Sequence, residues 1–581
     1  MSTPDLVSRT ALAHYFEELP ERKGKPQTGK EWTVYAAIVA IKNNASSDND
    51  AWVVSSATGS KCVAVQSASA SFKPFNFPPC GRHGRCTLCC ENQVKGMVIH
   101  DSHAEILARR GLLLTLWKEI QASLERKNGE QNDKGSSTCL LRFRKETKTG
   151  FVENSTSISS SKGGLFNLRS DILLHLYISD SPCGDASIYE IKEEYQRSKP
   201  PNPEAGSSLN FTGAKIILSA ANEADLTSYS ERNFSPVCNQ SDLNIHEQPL
   251  SNSKGSFLKT AREKEQVLGA LRLKSCRSNI PNHLRSMSMS CSDKLCKWAL
   301  LGIQGTGPLT AFLCKPVRLS SIVVGHDPRQ TENTFGRSHH QIKALERAIV
   351  DRAKLCLDEL EKAPTNEISN FLKEAILPSV YVVNNTFPQG LSQSVVSLQP
   401  KSLLSKTGDA HLSDSSKKRK RIIDDPNAAK GTQPPGKISP CGISLNWHQE
   451  CYLSNQDKGK GKNRTLHNIE QTVGAKGIIQ GKRPKNARNA IKSTSRLSRW
   501  ALSSRSRMCL KLMFDRCQET SVLQSDVECM STLSYQELKR RFVPSNFLRI
   551  RDIILQELQA SPLVGWVRNS TEDDFFSHGT K

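Results

Sequence analysis

The 581-residue chain can bury a large core, and its length alone allows roughly two to four ordinary domains. Its 37% hydrophobic content and mean hydropathy of −0.48 are low for a compact protein and predict polar insertions in a folded core. The 80 Lys and Arg residues exceed the 57 Asp and Glu residues and give a formal charge of +23, which favours a phosphate-bearing partner, nucleic acid first.

The N-terminus has no apolar core followed by a cleavage site, and no uncharged run reaches the ~18 residues that cross a bilayer. These absences argue against the secreted and membrane-spanning classes, so we expect an intracellular, soluble protein with no membrane partner. The 18 Cys residues would then meet a reducing compartment, where metal ligation, catalysis or burial is expected rather than disulfides.

The first half of the chain repeats a strand-then-helix pattern. The run WTVYAAIVAI predicts a buried strand, and CVAV (62–65) and MVIH (97–100) predict two more. DSHAEILARRGLLLTLWKEI follows as a helix with Asp101 or Ser102 as its N-cap. LLHLYIS (173–179) then predicts a strand that leads into a second helix at SPCGDASIYEI.

Polar stretches at about 123–162, 198–259 and 389–439 are expected to be surface insertions in one elaborated domain. The last contains KKRKR (417–421), which suggests import into the nucleus, so a nuclear or cytoplasmic location, or both, is expected. SMSMSCSDKLCKWALLGIQ predicts a loop and a short helix, and SYQELKRRFVPSNFLRIRDIILQELQ predicts helices that close the fold. The acid-free basic run 476–511 predicts either a solvated tail or a surface for RNA.

Candidate zinc ligands lie where the two helices are predicted to begin. A hydrolytic zinc site needs three protein ligands and one open position, and His103 and Cys183 can supply two of them. His103 and Glu105 fit the H-x-E part of a deaminase signature in which the Glu moves protons and binds no metal. The P-C-x-x-C part fails because Ala186 stands where the second Cys would be, so Cys291 in SCSDK becomes the candidate third ligand.

HAEILARR, SPCGDASIY and SCSDKLCKW together resemble the catalytic motifs of the adenosine deaminases that act on RNA. The resemblance places the second Cys in the SCSDK segment and extends from about GKPQTGKEWTVYAAIV to GWVRN. It implies a cytidine-deaminase-like α/β fold, a mixed sheet with helices that present a zinc site and C-terminal helices around a buried polyphosphate. It also implies that Glu105 takes a proton from the metal-activated water and protonates the departing amine, so that adenosine becomes inosine.

The same resemblance implies a bound inositol hexakisphosphate. Its ligand positions correspond to Arg109, Arg110, Lys294, Lys297, Arg499, Tyr535, Lys539, Arg549 and Trp566. A basic face for RNA is the competing explanation for these cations. The resemblance further implies a polar relay between zinc and polyphosphate, made of Asp101, Lys274, Trp298 and Gln304, and an RNA-backbone contact at Lys61.

The family includes editors of double-stranded or messenger RNA and editors of tRNA. The editors of double-stranded RNA usually carry double-stranded RNA-binding domains ahead of the deaminase, whereas the roughly 100 residues before His103 match the deaminase core itself. The resemblance therefore favours the tRNA branch, which acts on the adenosine immediately 3′ of the anticodon in alanine tRNA. A cytidine deaminase or a catalytically silent zinc-containing RNA-binding protein could also carry such a ligand set. PCGRHGRCTLCC could hold a second, structural zinc through Cys80, His83, Cys86, Cys89 and Cys90, although an insertion with free thiols is the preferred interpretation.

Overall fold

A computed structural model describes most of the predicted core. The described residues are 2–21, 24–43, 50–63, 96–126, 138–144, 164–188, 215–217, 269, 271–274, 286, 288–326, 337–362, 364–385, 387–390, 438–450, 468–482, 487–516, 533–558, 561–564 and 566. The Cys80 to Cys90 cluster and KKRKR lie outside these residues, as do most of the three predicted insertions. The single-domain organisation therefore stays a prediction.

The described strands contain two to eight residues. They are β1 (Glu31–Trp32), β2 (Tyr35–Lys42), β3 (Ala51–Thr58), β4 (Ser60–Cys62), β5 (Asp101–His103), β6 (Leu141–Phe143), β7 (Phe166–Leu168), β8 (Ile172–Ile178), β9 (Lys215–Ile217), β10 (Arg272–Lys274), β11 (Ser321–Gly325), β12 (Ser379–Val383), β13 (Ser439–Pro440), β14 (Ile443–His448), β15 (Ile469–Val473) and β16 (Ile478–Ile479).

The described α-helices are α1 (Thr3–Ala13), α2 (Ala104–Glu125), α3 (Cys291–Leu301), α4 (Arg337–Leu345), α5 (Arg352–Glu361), α6 (Asn366–Lys373), α7 (Ala487–Ser493), α8 (Arg499–Arg516), α9 (Tyr535–Phe542) and α10 (Ser545–Asp552). Short 3-10 helices occupy Asp185–Ser187 and Pro308–Ala311, and π-helical turns occupy His14–Glu18, Glu346–Asp351 and Ile553–Glu557. Among the described helices, none is both long and apolar enough to cross a bilayer.

The central sheet is mixed, as the sequence predicts. Its eight strands run in the order β12-β11-β8-β2-β3-β14-β15-β16. Strands β8, β11 and β12 are parallel to one another, whereas the other neighbours are antiparallel. Parallel neighbours need crossover connections, and helical segments lie between β8, β11 and β12 in the chain. Strands β8 and β11 are buried along almost their whole length and are apolar runs, whereas the edge strand β12 alternates exposed and buried residues.

Strand β2 shows how one short sequence supplies two cores. Its alternate residues Ala36, Ile38 and Ala40 join the core that α2 covers, and Tyr35, Ala37, Val39 and Ile41 join the core that α1 covers. This period of two follows from the strand pleat. Helix α2 packs against β2, β3 and β14, so the sheet fixes the position of the residues at its N-terminus.

The predicted elements around His103 differ from the observed ones. Residues 97–100 are not a strand; the strand is Asp101–His103, because these residues pair with Ser60–Cys62 in antiparallel register. Asp101 and Ser102 are therefore in a strand, and His103 is the N-cap of α2 without a side-chain capping bond. Strand β4 correspondingly ends at Cys62, earlier than the predicted 62–65 segment.

The predicted helix after Cys183 is, in its described part, a single 3-10 turn at Asp185–Ser187. Its C-cap Ile188 has extended backbone angles, which end the turn there. Arg347 binds this end of the turn, because its Nη2 donates to the carbonyl oxygens of Asp185 and Ile188 at 3.1 and 2.8 Å. Two of the predicted insertions also contain a strand, since β6 pairs with β7 and β9 pairs with β10, and the partner strand lies outside the insertion in each case.

The basic run 476–511 is not a solvated tail where it is described. It forms the turn before β16, helix α7 and much of α8. Leu497 and Ser498 are buried, and Arg496 donates its backbone N–H to the Glu470 carboxylate at 3.0 Å. The Arg496 Nε also lies 4.0 Å from that carboxylate, so part of the charge of this run is directed into the fold.

Candidate active site

His103 and Glu105 lie at the junction of β5 and α2. His103 has extended backbone angles as the N-cap, and Glu105 is in the first helical turn. The Asp101 carboxylate orients His103 by accepting from its backbone N–H at 3.1 Å and by contacting its Nδ1 at 2.8 Å. The backbone therefore leaves its strand geometry between the two residues, which allows side chains two positions apart to share one site.

Cys183 and Cys291 approach each other from distant parts of the chain. Cys291 is the first residue of α3, whose N-cap Ser290 accepts from the backbone N–H of Asp293. The backbone N–H of Cys291 contacts the Sγ of Cys183 at 3.5 Å. Gly184 allows this approach, because a Cβ at its positive φ of 119° would lie 2.3 Å from the Ser290 hydroxyl.

Three potential metal ligands meet at this point. One ligand atom each from His103, Cys183 and Cys291 lies within 4.8 Å of the others. One imidazole and two thiols match the donors that zinc prefers, and ligands of a tetrahedral zinc ion stand about 3.5 to 3.8 Å apart. Because burial raises the pKa of the Cys291 thiol, metal binding there must displace a proton.

Glu105 is a buried carboxylate suited to proton transfer. Its residue is only 2% exposed, and its Oε2 has no hydrogen-bond partner among the described residues. The negative charge of Glu105 also contributes to the raised pKa of the Cys291 thiol, so the two groups are neighbours. An unsatisfied buried acceptor is costly unless another group is to occupy the space beside it. Glu105 thus fits a site that receives water and substrate.

Asp101 connects the candidate metal site to two lysines. Its Oδ2 accepts from the Nζ of Lys274 at 2.7 Å and from the Nζ of Lys294 at 2.5 Å. Although burial works against ionisation, these two charges hold the pKa of Asp101 well below its ordinary value. Lys274 also donates to the Sγ of Cys291 at 2.9 Å, and Ser288 donates to Asp101 at 2.8 Å. The structure therefore brings together two of the four residues predicted to form a relay.

The remaining two predicted relay residues, Trp298 and Gln304, lie beside Arg109. The guanidinium of Arg109 is 4.9 Å from the centre of the Trp298 ring, and its Nη2 donates to the carbonyl oxygen of Gln304 at 2.8 Å. The side-chain amide of Gln304 donates to the carbonyl of Leu301 and accepts from the backbone N–H of Val317. Trp298 and Gln304 thus position Arg109, which together with them lines a cavity next to the candidate metal site.

A basic cavity of about 320 Å³ adjoins this group. Its described walls carry one carboxylate, Asp101, and seven cationic side chains: Arg109, Arg110, Lys294, Lys297, Arg499, Lys539 and Arg551. Tyr535 also lines it. Trp566 does not line it, but the centre of its ring lies 3.7 Å from the Nζ of Lys297, which does. The excess of positive charge is what a buried polyanion would neutralise.

The cations of the cavity are held in an unfavourable environment. Burial and the charges of neighbouring cations, Lys294 first among them, hold the pKa of Lys297 well below its ordinary value. Burial lowers the pKa of Arg109 to about 9 and that of Arg110 to about 10. A bound anion would relieve this repulsion and raise the pKa values of these cations.

One predicted polyphosphate ligand is placed elsewhere. Arg549 has a side chain that is 58% exposed and forms an ion pair with Glu557. It does not line the cavity, whereas Arg551 does. The two residues lie on the same helix, α10, so the rotation of that helix decides which arginine faces inward.

Lys61 lies beside the strand that leads to His103. It pairs with Ser102 across β4 and β5, and its side chain packs against Gly474 in the turn between β15 and β16. Its neighbour Cys62 was not singled out from the sequence, yet its Sγ lies 3.5 Å from Asp101 and 3.6 Å from His103. Only the pairing of β4 with β5 brings this thiol to the site.

Comparison with known proteins agrees with this geometry. The model of the adenosine-deaminase (editase) domain matches residues 83–570. A tRNA-specific adenosine deaminase 1 from Mus musculus is 25% identical over 505 residues, covering 77% of this chain and 79% of the relative. A tRNA-specific adenosine deaminase 1 from Drosophila melanogaster is 28% identical over 337 residues, covering 58% of this chain and 56% of the relative.

A double-stranded RNA-specific editase, Adar of Drosophila melanogaster, is 26% identical and covers 59% of this chain but 36% of the relative. The domain match spans most of the chain and includes all three motif segments, from the helix after His103 to the SCSDK turn. The resemblance inferred from those motifs is confirmed, and the chain is a deaminase that belongs to the adenosine-deaminase (editase) family.

Proposed function

We propose that the chain is a zinc-dependent tRNA adenosine deaminase that forms inosine, with the adenosine immediately 3′ of the anticodon in alanine tRNA as its target. The observation that carries the chemistry is the convergence of His103, Cys183 and Cys291 beside the buried carboxylate of Glu105. A catalytically silent RNA-binding protein would have no use for a buried acid whose Oε2 has no partner among the described residues. The donor set and the acid match the arrangement of nucleobase deaminases.

In the proposed reaction, water replaces the amine on C6 of adenine, and ammonia leaves. Zinc, when bound by His103, Cys183 and Cys291, supplies the Lewis acidity that activates the water. Glu105 accepts the proton that the water loses and delivers it to the departing amine, so the same oxygen serves as base and then as acid. Asp101 holds the His103 ring in place throughout.

The target base must leave its stack to reach Glu105, because both carboxylate and thiols lie within the fold. Lys61 lies one strand position from the His103 junction, where a cation can hold the RNA backbone beside an extruded nucleotide. An anticodon loop presents such bases outside a duplex, so extrusion there costs less than extraction of a paired base.

The basic cavity is proposed to hold inositol hexakisphosphate. Lys294 connects the two regions, because it lines the cavity and also donates to Asp101. A polyphosphate there would neutralise the buried cations and hold α2, α3, α8 and α9 together, since each contributes at least one of them. Its contribution would be to structure and would involve no bond-making step.

Inositol hexakisphosphate is therefore expected to co-purify with the full chain, at close to one molecule per chain by mass spectrometry of the heat-released small molecules. Arg110→Ala should yield unstable protein with the ligand lost, because Arg110 is a buried cation beside Arg499. The matched control is Arg549→Ala, which removes an exposed arginine outside the cavity and should retain the ligand. Normal folding of Arg110→Ala, with only RNA affinity and its salt slope reduced, would instead indicate an RNA-binding face.

Substrate choice is supported by the relatives named tRNA-specific adenosine deaminase 1, which align with more than half of this chain. The purified chain should form inosine next to the anticodon of intact alanine tRNA. Perfect duplex RNA of equal adenosine content should react much more slowly, because each target must first be unpaired. Sequencing of the reacted RNAs measures both rates.

Equal or faster editing of the duplex would contradict the tRNA assignment and favour a double-stranded RNA editor, to which the Drosophila editase relative corresponds. An anticodon stem-loop whose target adenosine is paired serves as the control for unpairing. It should react more slowly than the native loop, in which the same adenosine is unpaired.

A further inference from the structure

The two thiols of the proposed zinc centre have no covalent spacing to set their distance. In a P-C-x-x-C motif both cysteines belong to one helical turn. Here Cys183 and Cys291 are 108 positions apart, and Cys183 precedes only a 3-10 turn. Contacts between the two segments must therefore establish the geometry that a single helix supplies in the P-C-x-x-C motif.

Each cysteine is followed two residues later by a buried aspartate, Asp185 after Cys183 and Asp293 after Cys291. Arg272 in β10 joins the two. Its Nη1 donates to Oδ1 of Asp185 at 3.2 Å, and its backbone N–H donates to Oδ2 of Asp293 at 3.0 Å. Arg272 is itself fully buried, so one residue bridges both ligand segments within the core.

Two further arginines complete the cluster from the helical segment that follows β11. The Nε of Arg347 donates to Oδ2 of Asp185 at 3.0 Å, and the Nη1 of Arg352 donates to Oδ1 of Asp293 at 2.8 Å. All four carboxylate oxygens of the two aspartates therefore have an arginine donor. Paired charges of this kind fix direction as well as distance, because guanidinium and carboxylate are both planar.

We propose that these five residues, which we call the arginine frame (Arg272, Arg347, Arg352, Asp185 and Asp293), position Cys183 and Cys291 for the metal. Buried ion pairs are weak evidence for stability, because desolvation offsets their attraction, and their best-attested role is to specify one arrangement. The inference rests on the zinc centre of the proposed function. The frame residues are positioning residues, since their side chains act through the segments that carry the thiols.

The arginine frame is also linked, through strand β10, to Asp101, the carboxylate that orients His103. Two residues after Arg272 on β10, Lys274 donates to both Cys291 and Asp101. Ser292 adds a direct link, because its backbone N–H donates to the carbonyl of Cys183 at 3.0 Å and its hydroxyl accepts from Ala186 N–H at 3.1 Å. A disturbance of the arginine frame should thus displace the sulfur ligands before it displaces His103, which β5 holds.

The test compares zinc affinity and the cobalt spectrum of the full chain and its variants. Arg347→Lys keeps the charge but loses the planar donor, and its side chain is 19% exposed, so folding should persist. Asp185→Asn removes the charge that two arginines share. Both variants should bind zinc about 10- to 100-fold more weakly in chelator competition, as changes behind metal ligands usually do. Their Co²⁺ forms should show shifted d–d bands and weaker thiolate charge transfer.

The matched control is Glu119→Gln, an isosteric change of another buried carboxylate. Glu119 accepts from Leu140 and Leu141 and lies roughly 24 Å along α2 from His103. It should lack the spectral change whatever its stability. Arginine-frame variants that are less stable but keep wild-type zinc affinity and cobalt spectra would overturn the inference and leave the zinc centre standing. A folded wild-type chain that binds neither metal would overturn the zinc centre, and the inference with it.

Discussion

Glu105→Gln should abolish inosine formation while the protein remains folded and keeps its metal. Glu105 has a buried oxygen with no described partner, and none of the three converging ligand atoms belongs to it. The amide cannot accept a proton from water or return one to the departing amine. Loss of a general acid-base group usually costs roughly a hundredfold to ten-thousandfold in rate, and as the proposed sole shuttle Glu105 should reach or exceed that range.

Single-turnover kinetics on tRNA, with zinc content measured on the same samples, checks this result. Glu125→Gln is the matched control, because Glu125 is the last residue of the same helix and is exposed. It should leave the rate unchanged. A Glu105→Gln protein with near-normal turnover would rule out the proton-transfer role.

Cys291→Ala should remove the tightly held zinc and with it the activity. The Cys291 thiol is fully buried, and among the described residues its group of converging ligand atoms contains only those of His103 and Cys183 besides its own. Two remaining protein ligands hold zinc poorly, because hydrolytic sites use three. The zinc content measured by elemental analysis should fall from about one ion per chain to near zero.

Cys509→Ala provides the control for loss of a buried thiol. Cys509 is fully buried in α8 and packs with its Sγ 3.8 Å from the carbonyl oxygen of Trp117. Its replacement should lower the free energy of unfolding only by the cost of the small cavity that the lost sulfur atom leaves, and the zinc content should stay unchanged. Unchanged zinc in Cys291→Ala, with activity retained, would show that the ligand is another residue.

The sequence predicts the central elements well because their signals are local. Strand β2 is a run of β-branched and small residues, strand β8 is a run of large apolar residues interrupted by His175, and α2 carries apolar residues over most of its length. The start of α2 could not be predicted, since it depends on the pairing of β4 with β5 across an intervening segment. The 3-10 turn after Cys183 likewise depends on Arg347, more than 150 residues away.

The same distinction between local sequence signals and tertiary contacts applies to the candidate site. Motifs identified His103, Glu105, Cys183 and Cys291, because their residue types and order carry the chemistry. Further residues have no local signal: Cys62, Ser288, Arg551 and the arginine frame reach the site only through tertiary contacts. Arg549, the arginine predicted on this helix, lies outside the cavity that Arg551 lines, since two positions on a helix point to nearly opposite sides.

The most direct test of the central proposal is nucleoside analysis of tRNA after incubation with the purified full chain of measured zinc content. Mass spectrometry should show inosine gained in proportion to adenosine lost, with cytidine and uridine unchanged. Glu105→Gln, tested in parallel, should give no inosine. A zinc-loaded, folded wild-type protein that leaves adenosine intact in tRNA and in duplex RNA, or that converts cytidine to uridine instead, would contradict the proposed adenosine deamination.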